Sequence, residues 1–114
     1  MRQVRATAAH QPPKRPPLQV DVGELVTVGD RDTDWPAFVF VAAATGAGWV
    51  PSRHLSADRG SATVQVRYDT TELTTRDGEL LDVLAEDTTS GWLWCRAADG
   101  RAGWIPTRTV EPSV

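Results

Sequence analysis

The 114-residue chain is poor in several residue types, and each scarcity excludes something. It has one cysteine, Cys95, so neither an internal disulfide nor a multi-cysteine zinc site is open to it. Cys95 sits among apolar neighbours and reads as a small buried thiol. The two histidines, His10 and His54, fall in no metal-ligand or catalytic spacing. No apolar run approaches the roughly 18 residues that a membrane-spanning helix needs. The start, Met1-Arg2-Gln3-Val4-Arg5, has no apolar segment behind it and does not read as a secretory signal. There is no basic surplus: net charge is -3, which argues against nucleic acid as a partner. Helical spacing of apolar residues is also missing, and Val, Thr, Trp, Gly and Pro are frequent instead.

Five tryptophans are many for so small a chain, and an internal repeat organises them. The sequence overlays on itself at an offset of 55. Gly23-Glu24 matches Gly78-Glu79, Leu18 matches Leu73, and Val26 and Val28 match Leu81 and Val83. Gly48-Trp49-Val50-Pro51 matches Gly103-Trp104-Ile105-Pro106. The polar run 57–61 has linker composition. The expected organisation is therefore one unit over 1–56, a linker at 57–61 and a second unit over 62–114. Each unit is small enough to be marginally stable by itself. Residues 1–57 carry six basic and five acidic side chains; residues 58–114 carry six and ten. On that count the second half is the acidic one.

Short strands with alternating apolar positions are expected throughout. In the second half they run over Thr63–Tyr68, Leu80–Leu84, Trp92–Ala97 and Ala102–Ile105, the last ended by Pro106, which lacks a ladder N–H. In the first half they are Glu24–Gly29, Ala37–Ala43 and Ala47–Val50, ended by Pro51. The class is all-β.

The second unit resembles an SH3 domain. The resemblance rests on Glu72-Leu73, Gly78-Glu79, Leu81 and Val83-Leu84, Trp92-Leu93-Trp94-Cys95-Arg96, and the closing Gly103-Trp104-Ile105-Pro106-Thr107-Arg108-Thr109-Val110. The first unit is similar but departs: Ala8 and His10 stand where two early tyrosines would be, Pro17 precedes Leu18, and Trp35 is two residues early. The resemblance implies two small five-stranded, partly open β-barrels in tandem, with no catalytic chemistry and no cofactor. It implies a peptide-binding groove in the second unit formed by Tyr68, Glu72, Glu86, Asp87, Trp92, Trp104 and Pro106. Prolines of an extended ligand would sit on the indoles while the acids meet a basic ligand residue. Thr109 replaces the groove's final tyrosine. A second groove would use Trp35, Trp49 and Pro51. The basic segment Pro12-Pro13-Lys14-Arg15-Pro16-Pro17, within a loop over 11–17, is itself of ligand type. Its residues Pro13, Lys14, Arg15 and Pro16 are a candidate internal ligand, in the same chain or another copy.

The reading at this stage is a bacterial-type, cytoplasmic interaction module for a proline-rich or basic peptide or protein, with neither nucleic acid nor membrane as partner. One alternative is an SH3-like protein that binds cell-wall peptides. Another is a structural accessory domain with occluded grooves.

Overall fold

A computed structural model describes residues 2–113. The order along the chain is β1 (Gln3–Ala6), β2 (Gln19–Val20), β3 (Leu25–Arg31), β4 (Phe38–Ala43), β5 (Gly46–Pro51) and β6 (Gly60–Thr63). It continues with β7 (Tyr68–Asp69), β8 (Leu80–Asp87), β9 (Trp92–Arg96), β10 (Ala102–Pro106) and β11 (Val110–Pro112). Short 3-10 turns at Ser52–His54 and Thr107–Thr109 follow the two strand-ending prolines. Among the described residues there is no α-helix, as the absence of helical periodicity requires.

Two compact units form, but their boundaries differ from those expected. One, the terminal unit, joins Met1–Arg15 to Thr71–Val114; the other, the inserted unit, is Pro16–Thr70. The cause lies in the strand pairing. β1 lies between β8 and β11, with Val4 opposite Leu81 on one side and Pro112 on the other. β6 pairs instead with β3, Val26 opposite Ala62. Each unit thus takes its first strand from the other repeat. The polar run 57–61, expected as a linker, leads into β6 and places Gly60 and Ser61 opposite Val28 and Thr27.

The terminal unit holds an open five-stranded sheet in the order β10-β9-β8-β1-β11. The inserted unit holds a four-stranded sheet, β5-β4-β3-β6, and the two-stranded pair β2-β7. The sheets are not closed; the all-β class holds, and the two tandem, partly open barrels expected from sequence remain an expectation. Pro106 has no N–H for the ladder, and the 3-10 turn after it redirects the chain, so β10 and β11 remain the two edges. In the inserted unit an isolated bridge, Leu55 to Val64, stands in place of a fifth strand.

Alternation sets the core. On β9 the odd positions Leu93 and Cys95 are fully buried with Ile105 of β10, and Val4, Leu73 and Leu81 pack against them. Val4 supplies from the chain start a core position that the contiguous repeat does not contain. In the inserted unit Val26, Val39, Val41, Val50 and Val64 fill the same role. The duplicated Gly-Glu pairs are turn devices: Gly23 and Gly78 have φ near +90°, and each following glutamate accepts a backbone N–H three residues back.

Candidate functional site

The side of β9 and β10 turned away from that core carries Trp92, Trp94, Trp104 and Pro106. Their register is Trp94 opposite Trp104 and Trp92 opposite Pro106. Trp94 and Trp104 meet edge to face with centroids 5.3 Å apart, and both are half-buried. Trp92 is 9% exposed. Its ring meets His10 edge to face at 5.7 Å. Trp104 therefore pairs with Trp94.

The segment Thr71–Leu73 runs along the edge of β10. Trp104 N–H donates to the Thr71 carbonyl (2.9 Å) and Leu73 N–H to the Trp104 carbonyl (3.1 Å). This sets Glu72 and Trp104 in a parallel backbone bridge. Gly103 permits the close approach: a Cβ there would lie 2.7 Å from the backbone of Glu72 and Leu73. The glycine of the Gly-Trp-aliphatic-Pro motif is thus a packing requirement.

Glu72 Oε1 lies 2.8 Å from His10 Nε2, and the two side chains are 22% and 15% exposed. An ionised carboxylate only accepts, so Nε2 carries the proton. The His10 backbone is itself held, exchanging N–H to carbonyl bonds with Thr75. Thr109, at the place of a groove tyrosine, turns its hydroxyl inward and donates to the Pro106 carbonyl at 2.7 Å.

The other groove acids, Glu86 and Asp87, and their neighbours Asp82 and Glu79 are engaged within the unit. Arg2 Nη1 donates to Glu86 at 2.6 Å. Asp82 accepts from Gln3 at 3.0 Å and from Arg96 at 3.4 Å, and the Gln3 bond leads in holding its carboxyl below the usual range. Glu79 lies 3.6 Å from Arg101. Asp87 is opposite Trp92 in register, and its carboxylate accepts the Ser90 N–H. By sequence position the second half holds the acidic surplus, but the units redistribute it. The terminal unit has eight basic and eight acidic side chains, the inserted unit four and seven.

Tyr68 falls outside the unit that holds Trp92. It belongs to the inserted unit, pairs with Val20, and packs its ring edge to face on His54 at 5.4 Å. Its counterpart in the terminal unit is His10, because His10 faces Thr75 as Tyr68 faces Val20, one repeat apart. The second groove also changes composition. Phe38 lies opposite Pro51 and Phe40 opposite Trp49, reproducing the registers of Trp92 with Pro106 and Trp94 with Trp104. Phe40 and Trp49 meet edge to face at 5.1 Å. Trp35 instead sits in a turn, its N–H on the Asp32 carboxylate (3.3 Å) and its carbonyl accepting from Phe38. The signal that Phe38 was the equivalent lay in the shared aromatic-x-aromatic alternation, at an offset one shorter than the repeat.

Pro13, Lys14, Arg15 and Pro16 are exposed and lie where the chain passes from the terminal unit to the inserted one. Arg15 N–H donates to the Pro13 carbonyl at 2.9 Å. A polyproline II helix has no internal hydrogen bonds, so the segment is bent at this point.

Residues 65–113 match the family model of the variant SH3 domain. The chain carries one SH3-type domain in its C-terminal part. An SH3-type domain is a protein-interaction module, generally non-catalytic, that binds peptide or protein partners. The SH3 match begins at residue 65, whereas the compact unit takes up the chain only at Thr71 and uses residues up to Arg15 in place of the first matched segment. No match was found among curated proteins or among solved structures. Among the described residues no helix is long and apolar enough to cross a membrane. Nor does any group of three or more His, Cys, Asp and Glu side chains there form a metal-binding cluster.

Proposed function

We propose that the terminal unit binds an extended, proline-rich peptide segment across Trp92, Trp104 and Pro106, with a basic ligand residue reaching Glu72. The observation that carries this reading is the grouping of half-buried Trp94 and Trp104 with the buried Trp92 and Pro106 on the face of β9 and β10 opposite Leu93 and Cys95, with Glu72 at its margin. Flat aromatic faces suit proline rings, and an already extended ligand loses little freedom on docking. The inserted unit repeats this register with Phe38, Phe40, Trp49 and Pro51, but Phe38 and Pro51 are buried there, and the unit holds the acidic excess. Of the second groove expected from sequence, only Phe40 and Trp49 remain as half-buried aromatics.

The test is an NMR titration of the full chain with a basic proline-rich peptide, following the five indole N–H signals. Saturable shifts of Trp92 and Trp104 with Trp35 unmoved are expected from the terminal groove. Shifts confined to Trp49 would move the site to the inserted unit. No saturable shift would end the proposal. A pull-down on peptidoglycan run in parallel separates cell-wall peptides from proline-rich ones.

A further inference from the structure

Glu72 is the acid placed beside Trp104, yet its carboxylate is already in use. His10 reaches it from β1's side of the unit, and three independent constraints hold the pair. The Nε2 to Oε1 separation is 2.8 Å. The His10 ring rests edge-on against Trp92. Both backbones are anchored, His10 on Thr75 and Glu72 between the two bonds to Trp104. At 15% and 22% exposure the contact is largely shielded from water, where a charge-assisted bond is stronger than at an open surface.

We propose that His10 is an internal occupant of the basic-residue subsite and sets its selectivity. A guanidinium arriving on a ligand must displace the imidazole from Glu72 before it gains the carboxylate. The unit therefore discriminates weakly between an arginine-bearing peptide and a neutral one, and selects its ligand mainly by the fit of apolar rings. The contiguous SH3 segment lacks this control, because His10 enters the unit only through the strand exchange. This inference rests on the peptide-binding reading of the same face.

The experiment compares two proline-rich peptides differing only by arginine or glutamine at the basic position, titrated against the full chain. The readout is the ratio of their affinities. The unmodified protein is expected to give a ratio near one. His10→Phe keeps a ring against Trp92 but removes the donor, and should raise the preference for arginine about fivefold or more. Adding Glu72→Gln to His10→Phe should return the ratio to near one. Should His10→Phe fail to fold, His10→Leu, which also lacks a donor, takes its place with a rise in the same direction expected. A purely structural role for His10 would weaken both peptides equally and leave the ratio unchanged, and that result overturns the inference. If neither peptide binds the unmodified chain or any variant, the peptide-binding reading itself fails, and the selectivity inference with it.

Discussion

Val4 lies directly across from Leu81 in the five-stranded sheet, and both side chains are buried in one core cluster. The first strand of the chain thereby completes a unit whose remaining strands all lie in the second repeat.

Removing Val4's side-chain bulk should therefore act far from its place in sequence. Val4→Ala is expected to lower the unfolding free energy by about 1–3 kcal/mol, through lost burial and a residual void. Amide exchange at Leu81 and Leu93 should quicken. Unchanged exchange there would mean that the second repeat does not use this strand.

Gly103→Ala and Gly48→Ala should separate cleanly. A Cβ at Gly103 meets backbone at 2.7 Å, whereas one at Gly48 meets the side chains of Leu18 and Thr70 at 3.3 Å, which can give way. Gly103→Ala is expected to cost about 1–3 kcal/mol, as overpacking does, and Gly48→Ala distinctly less. Denaturant melts of the two variants check the order.

Burial pushes the Cys95 thiol up to about 11 from 9.0. The unfolded chain then loses this proton at lower pH than the folded chain does. Stability is unaffected by the group below pH 9 and falls between 9 and 11, by at most about 1.4 kcal/mol per pH unit. Cys95→Ala should lack this component, so the stability difference between the two proteins should narrow or change sign as pH rises. A constant difference from pH 8 to 11 would contradict the shift.

The two aromatic environments predict opposite binding phenotypes. Trp104→Ala removes a face of the proposed groove and should weaken a proline-rich peptide about tenfold or more. Trp35→Ala alters a turn in the inserted unit and should leave that affinity unchanged. Fluorescence anisotropy with a labelled peptide measures both.

Much of this was legible in the chain itself. The strands ended by Pro51 and Pro106, the core alternation of Leu93 and Cys95, and the duplicated Gly-Glu turns all follow from local pattern. Glu72, Trp92, Trp104 and Pro106 could be proposed as a group from sequence because they lie within one contiguous stretch. His10 could not be found that way. Its role depends on which unit receives the chain's first segment, and its sequence neighbours carry no motif.

By itself, then, the sequence determined an all-β chain of two related units, with aromatic faces set by period-two alternation. It could not determine which first strand belongs to which unit. β1 and β6 are both short, with small apolar residues at the inward positions, and Val4 or Ala62 satisfies the same slot opposite Leu81 or Val26. Local propensity is nearly equal for the two pairings. Only the tertiary structure decides, through the long-range ladders and the burial of Val4, and with that choice it brings His10 beside Trp92.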